Sequence, residues 1–417
     1  MKNRNQNTFF TVLLYCTLSV FFVGCKEEGR IDHVDASGDA PAQITDVTVR
    51  NTPGGAVLKY VAPKDKSLLY VRALYEIRPG VEQETTASIY TDSLVLEGFG
   101  DTRTYEVKLY SVGKNGKSSE PLTETITPLT PPIRAATYML REGFGGVSID
   151  IENPYKANLA IVLMGDTANL GFQSFLHTFY TAREKAVYSY RGLDTVNYHF
   201  SVYLRDRWQN ISDTIEATVK PIYEELIPKN TWRVEPLPTD TYIAVENNNV
   251  NYQPDKMWND ITTNANVMWA SPHESPMPQW TTWDLGQTII LSRFKLWHRY
   301  NGNIAVGGWQ SNDVRKFELY GTTTLNFDGS WDESWLPLGQ FECVPPSGSA
   351  EPTNEDREIA ARFGLDFELE SNEFTTNPFV PVRWIRLKTT EVCMGPTTNA
   401  AVWINQITFW GQILKDQ

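Results

Sequence analysis

At 417 residues with 41% hydrophobic content, the chain can bury the cores of two to four domains, which excludes a disordered tail. A formal net charge of −13 and a pI near 5.0 exclude a nucleic-acid backbone as partner, because that contact needs a surplus of Lys and Arg. Four cysteines, Cys16, Cys25, Cys343 and Cys393, are too few and too scattered for a disulfide scaffold or a zinc cluster with close Cys pairs.

The first element predicted is a signal peptide. Lys2 and Arg4 precede an uncharged run from Phe9 to Val23, shorter than the roughly 20 residues that a spanning helix needs. Gly24 before Cys25, preceded by Phe22 and Val23, resembles the bacterial lipobox, which implies cleavage after residue 24 and a lipid on the Cys25 thiol. Phe22 departs from the Leu usual at its position. Lys26, Glu27 and Glu28 resemble the surface-export signal of Bacteroidetes lipoproteins; a solvated charged linker is the plainer reading of the same residues. Residues 25–42, polar and closed by Pro41, read as a flexible tether.

From there short alternating runs replace the apolar segment. "GAVLKYVAP", "LLYVRALYEI" (68–77) and "YEVKLYSV" (105–112) place apolar residues at every second position between Gly, Asp and Pro signals, which predicts strands. A helical pattern is confined to the short "NEDREIAARFG" near residue 354, so the fold class expected is all-β. The stretch ending at Pro128 lays over the stretch ending at Pro221 with an offset of 93: Tyr105 on Tyr198, Val107 on Phe200, Leu109 on Val202, Ser119 on Ser212, Ile126 on Val219. Two sandwich domains in tandem follow, at 43–129 and 130–222, with boundaries at "TPLTPP" and "KPIYEELIPKN". The pattern resembles fibronectin type III or immunoglobulin-like domains, although Tyr60 stands where that family usually has Trp and the second copy lacks the aromatic. The resemblance implies spacers or protein-contact surfaces.

Of 13 tryptophans only Trp208 precedes the second boundary, so residues 223–417 form a compositionally separate third domain. There "TTWDLG", "FELYG", "RWIRL" and "ITFWG" follow one another in an order that resembles the discoidin or coagulation factor 5/8 C-type module. That resemblance, over residues 257–412, implies a galactose-binding-like jelly roll whose end loops bind sugars, lipids or proteins. The whole arrangement is similar to surface lipoproteins of Bacteroidetes polysaccharide-utilisation systems. Their setting implies an outer-membrane, lipid-anchored, surface-exposed protein whose partners are a polysaccharide or oligosaccharide and a neighbouring transporter or glycan-binding lipoprotein.

Alternation separates packing from binding candidates. In "RFKLWHRY", Phe294, Leu296 and His298 share one strand face and Lys295, Trp297 and Arg299 the other. Trp283, Trp384, Trp403 and Trp410 read first as core or sheet-edge residues. A sugar site needs an apolar plate for the C–H face of a pyranose and amide or guanidinium groups for its hydroxyls. Loop 299–313 offers Arg299, Tyr300, Asn301, Trp309, Gln310 and Asn312, while a Trp there can also plug its own loop. His273 with Trp280, in "WASPHESPMPQW", is a second candidate, and Asn399 a third. No cofactor is required; the family resemblance implies a possible structural calcium near Asn259 and Asp260, but Asn405 and Gln406 replace the carboxylate expected on the last strand. Cys343 and Cys393 read equally as a disulfide or as two buried thiols.

Neither a His-Glu-x-x-His, a Gly-x-Ser-x-Gly elbow, a phosphate loop nor a Rossmann glycine pattern occurs, so a non-enzyme is expected. Two functions then stand: carbohydrate binding by loops of the third domain, or protein docking without glycan affinity.

Overall fold

The structure is a computed structural model that describes residues 37–168, 170–171, 173–241, 249–264, 266–300, 302, 307–370 and 375–415. Cys25, the segment read as a signal peptide before it, and Lys26, Glu27 and Glu28 lie outside the described residues. The chain is all-β, built of antiparallel sheets that pack as sandwiches. Two compact units divide it, one ending at Leu129 and the other running from Thr130.

The first unit has strands β1 (Thr45–Thr52), β2 (Gly55–Val61), β3 (Leu68–Arg78), β4 (Val81–Ser88), β5 (Ser93–Glu97), β6 (Tyr105–Gly113) and β7 (Leu122–Ile126). They form two sheets, β1-β2-β5 and β4-β3-β6-β7. The alternation read from the sequence is the alternation of burial: Ala56, Leu58 and Tyr60 on β2 and Val71, Ala73, Tyr75 and Ile77 on β3 all face inward. Tyr75 keeps its polar end satisfied by donating across the sandwich to the Glu97 carbonyl at 3.2 Å.

The second unit opens with a turn of helix at Pro132–Ala135 and repeats the design in β8 (Thr137–Gly143), β9 (Gly146–Glu152), β10 (Leu159–Gly165), β11 (Ser174–Thr181), β12 (Lys185–Arg191), β13 (Tyr198–Arg205) and β14 (Ile215–Val219). Sheets β12-β9-β8 and β11-β10-β13-β14 reproduce the strand order of the first sandwich position by position. Even the register is repeated, since Tyr105 faces Ile126 and Tyr198 faces Val219. Both copies open their second strand with glycine for one reason. A Cβ on Gly55 would sit 2.1 Å from the Leu96 carbonyl oxygen, and one on Gly146 would sit 1.7 Å from that of Tyr190.

The rest of this unit holds β15 (Glu225–Leu226), β16 (Arg233–Val234), β17 (Trp269–Ala270), β18 (Gln279–Trp297), β19 (Val314–Thr322), β20 (Leu336–Glu342), β21 (Leu365–Glu368), β22 (Pro381–Val392), β23 (Trp403–Ile404) and β24 (Gln406–Ile413). The 19-residue β18 organises it. Its first half, to Asp284, pairs with β16 and β22, which continues the sheet to β19 and β20; its second half, from Ile289, lies between β24 and β21. The core between these layers is rich in aromatic residues, including Trp283, Phe294, Phe317, Phe341 and Phe409, with Phe294 and Phe367 stacked at 4.8 Å. The expected helix is there, as Asn354–Glu358 with a Thr353 capping box.

The second sandwich is clasped to this third domain by charge. Arg191, at the end of β12, donates to Glu224 at 2.9 Å and to Glu368 and Glu370 at 2.6 Å each. Glu370 is 2% exposed; it also accepts from the Phe144 N–H at 2.9 Å, while Phe144 stacks on Phe379 at 5.7 Å. Arg293 and Ser292 complete the shell around Glu224. The cluster joins β12, β18 and the segment after β21 with its charges mutually paired.

Candidate functional site

The loop between β18 and β19 is built on a buried polar base. Asp313, fully buried, accepts the Arg299 N–H at 3.0 Å and the Gln310 N–H at 2.8 Å, so one carboxylate closes both ends of the loop. His298, equally buried, accepts the Trp309 N–H on Nδ1 at 3.1 Å and lies 3.0 Å from the Val314 carbonyl through Nε2. This pairing fits a neutral ring protonated on Nε2. Burial pushes the His298 pKa down and the Asp313 carboxyl up, the latter opposed by its neighbours His298 and the two N–H donors.

The three loops named from the sequence meet at this end of the domain. Met394 N–H donates to the Ser311 carbonyl at 2.8 Å, and Trp403 N–H to that of Asn312 at 2.9 Å. Met277 N–H donates to Thr398 at 2.9 Å and Ala400 N–H to Ser275 at 3.0 Å, which ties in the third loop. Trp403 is the hub: the Arg299 guanidinium lies 4.6 Å over its ring and His273 meets it edge-on at 6.3 Å.

Side by side, the candidates differ in what they offer. His273 and Asn399 are exposed; Arg299, Tyr300 and Gln310 are half-buried, and Arg362 reaches over the Tyr300 ring at 6.0 Å. The Gln310 amide Nε2 has no hydrogen-bond partner among the described residues. Trp309 packs on the core and against His298 at 4.9 Å, held at a positive φ of 48° that is unusual for a bulky residue. Its indole therefore fills its own loop. Asn312 is buried at 5% exposure with its carbonyl engaged by Trp403, and Asn301 lies outside the described residues.

Trp280 stands elsewhere, on the outer face of the β18–β22–β19 sheet. Register places Trp280, Lys388 and Glu318 in one row across that face, and Thr282, Arg386 and Tyr320 in the next. Segment 326–335 folds over them and brings Trp331 against Trp280 at 5.6 Å and Tyr320 at 4.9 Å, both nearly perpendicular. Arg386, wholly buried, stacks on Trp331 at 4.4 Å and on Trp335 at 4.2 Å, and its charge faces Asp240 at 3.8 Å. Tyr320 entered the sequence reading only within the strand motif "FELYG", and Trp331 and Trp335 were not offered as binding candidates. The signal available was "NFDGSWDESW", a turn-rich acidic stretch with two tryptophans between strands.

Asn259 and Asp260 do not fit a calcium ion in this arrangement. The Gln406 amide nitrogen donates to the Lys256 carbonyl at 2.8 Å and to Asn259 Oδ1, and reaches the Ile261 carbonyl at 3.4 Å, so an N–H donor stands where a cation would collect those oxygens. Gln406 Oε1 accepts the Asp260 N–H at 3.1 Å, and the Asp260 carboxylate turns to Lys229. Among the described residues no group of three or more His, Cys, Asp or Glu is placed to hold a metal. Cys343 and Cys393 are free thiols; the Cys343 N–H donates to the Arg315 carbonyl at 2.7 Å and the Cys393 N–H to that of Asp313 at 2.9 Å.

In the first sandwich an open recess of about 880 Å³ is lined by Tyr75, Arg78, Glu82, Arg103, Tyr105 and Tyr110. No described helix is long and apolar enough to cross a membrane.

Three family models match the chain in tandem, each described as a domain of unknown function: DUF4959 over residues 41–128, DUF5126 over 129–230 and DUF5000 over 258–411. A search of curated proteins finds no match. Among solved structures, a SusE-like protein is similar at 26% identity, covering 68% of this chain and 100% of that one, with a TM-score of 0.41. A two-domain fibronectin type III segment of chicken tenascin is similar at 15% identity, over 43% of this chain and 99% of that one, TM-score 0.21. A family 89 glycoside hydrolase from Clostridium perfringens is similar at 13% identity, over 45% of this chain and 14% of that one, TM-score 0.27.

Proposed function

We propose that the protein is a non-catalytic, lipid-anchored outer-membrane surface protein that captures carbohydrate with the end loops of its discoidin-like third domain. Capture would feed a neighbouring transporter or glycan-binding lipoprotein. The observation that carries the reading is the convergence of loops 271–278, 299–313 and 393–402 on Trp403, with Arg299 and His273 held against its ring. Such an end offers a guanidinium, an imidazole and the amides of Gln310 and Asn399, which are groups that hydrogen-bond ring hydroxyls, with the half-buried Tyr300 on the same loop. The base formed by Asp313 and His298 holds Arg299, Trp309 and Gln310 before a ligand arrives, which lowers the entropic cost of capture.

Calorimetry of residues 26–417 against plant, host and microbial glycans tests it. Binding to at least one glycan, weakened in Arg299→Ala, is the result expected. Absence of binding to every glycan, with co-purification of an outer-membrane protein, would favour the docking reading instead.

A further inference from the structure

We propose that the outer face of the β18–β22–β19 sheet is a second carbohydrate contact, with the indole of Trp331 as the plate for one neutral pyranose. The inference rests on the third domain being glycan-binding, and adds a site that the end loops do not contain.

Trp331 is 39% exposed although it belongs to a cluster whose other members are buried or half-buried. The buried Arg386 guanidinium lies 4.4 Å under its ring, while Trp280 and Tyr320 stand against it at 74° and 77°. Arg386 on one side of the ring is fully buried, so the exposed part of Trp331 lies away from it. The plate is fixed from below: Arg386 donates through Nε to Thr282 Oγ1 at 3.0 Å and through Nη2 to the Gly329 carbonyl at 3.3 Å. A ligand stacked there would immobilise little that is not already held. Beside the plate, Glu318 accepts from the Tyr320 hydroxyl at 2.7 Å and from Lys388 at 3.0 Å, a polar rim able to exchange hydrogen bonds with sugar hydroxyls. Arg386 Nη1 and Trp280 Nε1 are buried donors with no partner among the described residues.

Charge selects the ligand class. Lys388 and Glu318 cancel, Arg386 and Asp240 cancel, and Asp328, Asp332 and Glu333 are left on the segment that carries Trp331. An acidic or sulfated sugar is repelled there. A cationic ligand finds the indole π-cloud already engaged by Arg386. A neutral hexopyranose meets neither objection.

The test uses residues 26–417 and a neutral panel of starch, galactomannan, xyloglucan and laminarin. For the glycan that binds, Trp331→Ala is expected to lower affinity about tenfold, and Lys388→Ala about threefold. The same glycan should protect Trp331 from N-bromosuccinimide oxidation, read by peptide mass spectrometry; this measurement on the unaltered protein decides the matter if Trp331→Ala unfolds. Unchanged affinity in Trp331→Ala with loss in Arg299→Ala, or Trp331 oxidised equally with and without glycan, would overturn this site and leave the end-loop reading standing. No binding to any glycan would overturn both.

Discussion

His298 shows how one residue links loop order to pH. Burial holds its pKa below the ordinary value, so the folded state takes up its proton less readily than the unfolded chain. Stability from the neutral ring is therefore fully present above the unfolded pKa of about 6.5 and is lost as pH falls below it, with a slope of at most about 1.4 kcal/mol per pH unit. Urea midpoints at pH 7.5 and 5.5 should differ more in the natural protein than in His298→Asn; equal pH dependence in both would show that the ring does not carry this coupling. Gln406 makes a parallel case. Its amide donates to the oxygens of Lys256, Asn259 and Ile261, so Gln406→Glu strips them of donors and adds a buried charge, a loss of about 1–3 kcal/mol or more. Chelator should leave the melting temperature of the natural protein unchanged, and added calcium should restore part of the loss in Gln406→Glu; a chelator-sensitive natural protein would contradict this use of Gln406.

Between elements, the decisive contact is the Arg191 cluster. Arg191→Met leaves Glu370, 2% exposed, without its closest counter-charge, and breaking a buried pair from one side costs about 3–5 kcal/mol. Chemical unfolding should show that loss, together with proteolytic cleavage newly accessible near Tyr223; a change under about 1 kcal/mol would mean that packing of Phe144 on Phe379 holds the two layers instead. This contact was invisible in the sequence, because Arg191 lies 33 positions before Glu224 and 179 before Glu370, and no local period links them. The strands themselves were legible, since alternation over Gly55–Val61, Leu68–Arg78 and Tyr105–Gly113 is fixed by which face is buried. So was the tandem repeat, through its constant offset. The site divides in the same way. Loop 299–313 was found from its Gly and Asn content, and Trp403 was read as packing, which its 8% exposure matches. Trp331 was not found, because its partners Arg386, Tyr320 and Trp280 reach it only through sheet register.

At the scale of the whole molecule, an anchored N-terminus would keep two sandwiches and a binding domain at the cell surface. Cys25→Ala should release the protein from the membrane fraction into the soluble one, and unchanged membrane retention would rule out a lipid at that thiol. The claim on which the rest depends is that the third domain binds carbohydrate. Isothermal titration of residues 26–417 with plant, host and microbial glycans, the neutral panel among them, tests it most directly: saturable binding to a neutral glycan, weakened in both Arg299→Ala and Trp331→Ala, is the expected result, and no heat of binding to any glycan from a correctly folded protein would contradict it.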